Sequence, residues 1–136
     1  MRWRLRVLGT LILLLVVALA AYRLMAEGLP TEIVLNASEN GGQIEIQKGQ
    51  TLVVTLQSSP GTGYGWQVVE LDEDILRQTG DPEFVSDSDL VGASGIQVTR
   101  FEAMGTGEVA LKLVYYRSWE KDTEPLRIFA CRVIVR

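Results

Sequence analysis

The chain of 136 residues has no histidine and a single cysteine, Cys131, and its first 26 residues hold no acid. Without imidazole, no Ser–His or Cys–His catalytic pair can be assembled, nor any zinc site that needs histidine. One thiol excludes an intrachain disulfide and a thiolate cluster. Basic residues are also few: 13 Lys and Arg face 17 Asp and Glu, a net charge of −4. That balance, with no basic stripe, argues against nucleic acid, where phosphate neutralisation supplies most of the affinity. Helical spacing is scarce beyond the N-terminus, and only residues 70–79 (ELDEDILRQT) could form a turn or short helix.

What is there begins with Arg2, Arg4 and Arg6 ahead of an apolar run over residues 7–22, interrupted only by Gly9, Thr10 and the Tyr22 hydroxyl. A positive segment, an apolar run and the small-x-small pattern Ala18-Leu19-Ala20 read as a secretory signal peptide. The run lies close to the roughly 17-residue lower limit for a spanning helix. Leu24, Met25 and Ala26 could extend it past Arg23, so an uncleaved membrane anchor competes with cleavage. Either version keeps the arginines in the cytoplasm and carries the rest across the membrane. No cysteine follows the run to receive a lipid. The expected protein is exported: periplasmic, secreted or membrane-anchored by a single N-terminal helix. Cleavage near Ala20 would leave 10 basic residues against 17 acidic ones, or −7. Residues 1–26 are thus a signal peptide or anchor and residues 27–30 a linker. Residues 31–136 are one domain, of ordinary length for a single core.

Alternation with period two runs through that domain. Ile44 and Ile46 flank Glu45. Leu52, Val54 and Leu56 share a face, opposite Thr51, Val53 and Thr55. Val68 follows Trp66. Ile96 and Val98 precede Phe101 in a stretch where the alternation slips, as at a bulge. Over residues 108–116, Val109, Leu111, Leu113 and Tyr115 face inward. Over residues 126–136, Phe129, Cys131, Val133 and Val135 do so. Gly, Pro, Asn and Ser clusters punctuate these segments. Seven or eight short strands so separated predict an all-β, immunoglobulin-like antiparallel β-sandwich, preceded by an N-terminal hydrophobic helix. No Cys-Trp-Cys spacing is present, and Trp66 is the candidate large core aromatic.

Three connections carry more composition than a turn requires. In residues 58–66, Gly61, Gly63 and Gly65 alternate with Thr62, Tyr64 and Trp66 behind Pro60. Glycine lets a backbone approach another surface closely, and proline reduces the entropy lost on docking. The Thr62 hydroxyl is expected at the tip, free to hydrogen-bond outward. The plainer reading is a long turn between sheets with Tyr64 and Trp66 packed at the edge of the sandwich. A nucleotide-cradling loop is rejected, because Trp66 takes the third glycine position and a strand follows where a helix N-terminus is needed. The second connection, residues 90–95, holds Gly92, Ala93, Ser94 and Gly95 and alone says only that the chain turns. The third, residues 116–125, is polar around one large aromatic. Either Trp119 folds back on the sheet, or Arg117 and Trp119 form a binding anchor, since both types are enriched at interface hot spots.

Taken together, Ser59-Pro60-Gly61-Thr62-Gly63-Tyr64-x-Trp66, then Gly92-Ala93-Ser94-Gly95, then Tyr116-Arg117-Ser118-Trp119-Glu120 resemble the chagasin family of cysteine-peptidase inhibitors. The three segments are similar, in order, to that family's Asn-Pro-Thr-Thr-Gly-Tyr, Gly-x-Gly-Gly and Arg-Pro-Trp loops, and the resemblance spans roughly the whole exported domain. Ser59, Gly61, Ser94 and Ser118 depart from the family pattern, the last replacing a proline and so loosening its loop by up to about 1 kcal/mol. The resemblance implies an inhibitor, not an enzyme. Three clustered loops would enter the active-site cleft of papain-like cysteine peptidases and block substrate reversibly. The implied contact residues are Pro60, Gly61, Thr62, Gly63, Tyr64, Gly92, Ala93, Ser94, Gly95, Arg117, Ser118 and Trp119. Within that picture Thr62 approaches the catalytic thiolate and imidazolium. Gly61 and Gly63 keep side chains off the cleft floor. Trp119 stacks on an aromatic wall with Arg117 hydrogen-bonding nearby, and Gly92–Gly95 meet the opposite wall through backbone. Tyr64 shapes its loop, ring against the domain and hydroxyl bonded locally.

The alternative is a β-sandwich binding or assembly module of the cell envelope without peptidase inhibition. Partners expected are a papain-like peptidase and, if the leader stays, the membrane; the protein is expected to be a monomer needing no cofactor or metal. Glu70, Asp72, Glu73 and Asp74 read as a solvated face, with Asp81, Asp87 and Asp89 in a further acidic loop. Asp87-Ser88-Asp89 lacks the twelve-residue calcium-loop pattern. Cys131, mid-strand, reads as a small buried apolar residue. Asn36-Ala37-Ser38 matches a glycosylation sequon, which matters only in a eukaryotic source.

Overall fold

A computed structural model describes residues 2–26, 28, 30–120 and 122–136. It divides into two compact units, Met1–Pro30 and Thr31–Arg136. In the first, α1 spans Arg2–Ala26, 25 residues, longer than the apolar run itself. Its stretch Arg6–Arg23 is long and apolar enough to cross a membrane. Thr10 sits inside that stretch without an unmet polar group, because its hydroxyl donates back to the Arg6 and Val7 carbonyls at 3.1 and 2.9 Å.

Among the described residues the second unit holds nine strands: β1 (Glu32–Leu35), β2 (Gln43–Ile46), β3 (Thr51–Ser58), β4 (Tyr64–Val69), β5 (Leu76–Gln78), β6 (Glu83–Ser86), β7 (Gly95–Ala103), β8 (Gly107–Arg117) and β9 (Arg127–Val135). They form two sheets. One runs β1-β3-β7-β5, with β6 also on β7; the other runs β2-β9-β8-β4. The alternating residues close the space between them. Leu52, Val54 and Leu56 of β3 and Phe101 and Ala103 of β7 come from the first sheet. Val109, Leu111, Leu113 and Tyr115 of β8 and Phe129, Cys131, Val133 and Val135 of β9 come from the second. Trp66 joins this core, as expected of a large sandwich aromatic. Among the described residues, this core lies within Thr31–Arg136.

The sandwich is not purely antiparallel. The edge strands β1 and β2 pair parallel with β3 and β9. A parallel pair needs a crossover, and here β2, lying in the opposite sheet, forms the crossover between β1 and β3. A capping box makes the switch of sheets compact. Asn36 accepts from the Ser38 N–H at 2.9 Å and Glu39 accepts from the Asn36 N–H at 2.7 Å.

The suspected bulge before Phe101 is absent. β7 pairs with β3 without a break from Gly95↔Ser58 to Glu102↔Thr51. The slip in the sequence arises because polar Gln97 and Thr99 hold the phase of Phe101, while Ile96 and Val98 share the opposite phase. Residues 72–75 form the foreseen turn, closed by the Leu76 N–H on the Asp72 carbonyl at 3.0 Å. The chain then continues as β5 rather than as helix.

Strand direction fixes two poles. β3, β6 and β8 run toward one of them, where residues 59–63, 87–94 and 118–126 connect to the strands that return. Glu32 is level with Thr51, at the start of β3, and Arg136 follows the end of β9 beside Ile46. Both ends of this unit therefore lie at the opposite pole from the three connections.

Candidate functional site

The first connection begins as the sequence suggests and ends differently. Pro60–Thr62 form a 3-10 turn, with proline at its first position and Gly63 closing it at φ +82°. The Thr62 hydroxyl does not point free. It donates to the Ser59 carbonyl at 2.5 Å and lies 3.4 Å from the Tyr64 N–H, so it stiffens the loop from within. Pro60, Gly61 and Thr62 are nonetheless exposed, and the crest of the turn carries bare backbone at Gly61.

An aromatic column stands under this turn. Tyr64 and Trp66 share one face of β4, and Tyr115 of β8 lies directly across from Trp66. Tyr64 stacks on Tyr115 with ring centres 5.2 Å apart, and Trp66 meets the same tyrosine at 5.0 Å. The Tyr64 ring does pack against the domain. The hydroxyl that holds the loop, however, is that of Tyr115, which accepts from the Ser59 N–H at 2.9 Å. Trp66 is pinned twice more. Its indole N–H donates to the Gln57 carbonyl at 2.8 Å, and the Gln97 amide both accepts from its N–H and donates to its carbonyl, at 3.0 and 2.8 Å. Gln97 thereby ties the two sheets together beneath the loop.

Arg117 completes the column. Its guanidinium lies 4.4 Å over the Tyr64 ring and 5.9 Å from the Trp119 ring. Its Nε donates to the Thr62 carbonyl at 2.9 Å, and it pairs with Glu120 at 3.3 Å. Through these internal bonds Arg117 positions the first and third connections. A hydrogen-bonded turn from Arg117 to Glu120 presents Ser118 and Trp119 outward.

Trp119 does not fold back on the sheet. Its indole lies against Gly63, where an added Cβ would overlap Cη2 and stand 2.9 Å from Cζ2, and it stays 66% exposed. Gly63 thus gives up its side-chain space to the indole and does not itself offer open backbone. The second connection also meets the first: a Cβ built on Gly61 would touch the Gly92 Cα at 3.5 Å. Ser59 and Ser94, two of the departures from the family pattern, hydrogen-bond to each other at 2.8 Å and link these loops. Gly95 begins β7 under β6, and Ala93 is half-buried between.

Convergence of the three connections on one rim was the expectation, and all twelve residues named from the sequence lie there. Tyr115, Gln97 and Gln57 were not foreseen. Tyr115 looked like one more inward residue of an alternating strand, and nothing in the sequence marks a glutamine that spans two sheets. No three His, Cys, Asp or Glu side chains among the described residues come close enough to hold a metal ion. Away from the rim, burial pushes the Cys131 thiol up to about 11, with Glu39 adding to the effect.

The model of the chagasin family of peptidase inhibitors matches residues 45–133. Amoebiasin-2 of Entamoeba histolytica is 28% identical over 109 residues, covering 76% of this chain and 85% of the relative. Chagasin of Trypanosoma cruzi is 27% identical over 99 residues, covering 68% and 90%. Among solved structures, the E. histolytica cysteine protease inhibitor EhICP2 matches with a TM-score of 0.68 at 25% identity, over 77% of this chain and 95% of that one. An inhibitor solved in complex with falcipain-2 shares the fold at a TM-score of 0.54 and 15% identity, over 77% and 98%.

Proposed function

Since the chain belongs to the chagasin family of peptidase inhibitors, we propose that its β-sandwich blocks papain-like cysteine peptidases by lowering the three-loop rim into the active-site cleft. One observation carries this reading: a crest of bare backbone at Gly61, with Gly92 against it and the indole of Trp119 against the nearby Gly63. Such a profile is narrow in the middle and broad at its shoulders, the shape needed to reach a recessed thiolate. Thiolate and imidazolium form a charged, partly dry site that favours close polar partners. Pro60–Thr62 enter it as a 3-10 turn and not as the extended strand of a substrate. No peptide bond is offered for attack, and the block is competitive and reversible.

The apolar stretch Arg6–Arg23 supports export as signal peptide or anchor, with the domain outside the cytoplasm. Targets are then peptidases met in that compartment. The test is titration of residues 27–136 against papain under steady-state conditions. Competitive inhibition at nanomolar concentration is expected. No inhibition at micromolar concentration would instead favour an envelope binding module built on the same sandwich.

A further inference from the structure

The ladder between β3 and β7 ends at Ser58↔Gly95. The next pair in that register is Ser59 and Ser94, where the two strands part to become the crest and the second connection. At this point a side-chain bond takes over from the ladder, with the two hydroxyls 2.8 Å apart. Each serine is rooted in a different element. The Ser59 N–H donates to the Tyr115 hydroxyl of β8 at 2.9 Å, and its carbonyl accepts from the N–H and the hydroxyl of Thr62. The Ser94 carbonyl accepts from the Asp87 N–H at 2.9 Å, carrying the β6–β7 pairing one step past Ser86↔Gly95. Further out, Gly61 and Gly92 meet backbone to backbone, and neither has a side chain with which to hold the other. The hydroxyl pair is thus one more rung, placed where the loops begin to diverge.

We infer that Ser59 and Ser94 are a positioning pair: their shared bond sets the spacing of the crest and the second connection before a peptidase is met. The inference rests on the proposed function and deepens it, because the pair acts through the loops it joins and not by touching the peptidase. The bond is exposed, so water can replace either hydroxyl and the fold gains little from it. What it fixes is the distance between two glycine-bearing tips. Without it the loops splay in part of the population, and the closed fraction alone fits the cleft. Apparent affinity then falls by that fraction. The rung belongs to this chain and not to the loop motifs, since the Gly-x-Gly-Gly pattern has no hydroxyl at the place of Ser94.

The experiment takes residues 27–136 as wild type, Ser59→Ala, Ser94→Ala and the double variant. Inhibition constants and association and dissociation rates are measured on papain, with thermal unfolding alongside. Each single variant should inhibit roughly fivefold less tightly, the worth of one exposed hydrogen bond. The double variant should be no weaker than either. The loss should fall on association, with dissociation nearly unchanged, and Ser94→Thr, which keeps the hydroxyl, should inhibit like wild type. The unfolding midpoint should hold throughout. Additive losses, or a loss confined to faster dissociation, would overturn the pair by making the serines separate contacts with the peptidase. A threonine variant as weak as alanine, or a midpoint that falls in step with inhibition, would overturn it as well. Wild-type inhibition in every variant would overturn the pair and leave the proposed function intact. A wild-type domain that inhibits nothing would remove the proposed function and the pair with it.

Discussion

Replacing Gly63 by alanine separates two consequences of one methyl group. Gly63 sits at φ +82°, where a side-chain-bearing residue costs about 1–2 kcal/mol. For a domain of about a hundred residues, that lowers the unfolding midpoint by at least about 4 °C. The same methyl would occupy the space of the Trp119 indole. The indole is 66% exposed and free to swing outward, so its displacement affects binding more than folding. Truncating a tryptophan anchor costs about 2 kcal/mol or more, about thirtyfold in affinity. Gly63→Ala should therefore raise the inhibition constant toward the value of Trp119→Ala and add almost nothing to it in the double variant. The midpoint should fall equally in both backgrounds, while Trp119→Ala alone leaves it nearly unchanged. Inhibition of papain and thermal unfolding, measured on the four proteins of that cycle, give both quantities. Additive losses of inhibition, or an unchanged midpoint for Gly63→Ala, would refute the placement of the indole on Gly63.

Thr62→Ala removes the bond to the Ser59 carbonyl. A bond of about 1 kcal/mol corresponds to roughly a fivefold weaker inhibitor, and Thr62→Ser should restore it; a serine variant as weak as alanine would shift the role to the methyl group. Gln97→Leu leaves the Trp66 N–H and carbonyl without their side-chain partner. The cost is about 1–3 kcal/mol, read as a lower urea midpoint at constant slope. Cys131, with its thiol pushed up to about 11 by burial, should resist alkylation in the folded protein and react on unfolding. Its ionisation is held back only in the folded state. Its contribution to stability is therefore complete below the ordinary thiol value of 9.0 and is lost as pH rises through about 11. Urea midpoints measured from pH 8 to 11 should fall, and the fall should shrink in Cys131→Ala.

The inward faces of β8 and β9 were legible because each alternates cleanly over several pairs of residues, and a strand buried on one face leaves that signature. β6 was not, since Glu83, Phe84, Val85 and Ser86 are all exposed and no face has to be apolar. The phase of β7 was hidden for a related reason. Gln97 belongs to the phase of Phe101 because its amide serves the backbone of Trp66, a partner 31 residues away that no local pattern reveals. Parallel pairing at the edges is likewise a choice between strands distant in the chain. At the rim, glycine, proline and tryptophan marked where the connections lie, because those residue types exceed what a turn demands. They did not say which way a hydroxyl or a guanidinium would turn. The Thr62 hydroxyl turns inward to the Ser59 carbonyl and the Arg117 Nε to the Thr62 carbonyl, contacts set by the folded loop and not by local composition.

Because Thr31 and Arg136 both lie at the pole away from the three connections, the sandwich resembles a tool held by its handle. A solid support, a dye or a second sandwich joined in tandem at Arg136 is attached at the pole away from the three connections. Immobilised or concatenated copies should then each keep the potency of the free domain.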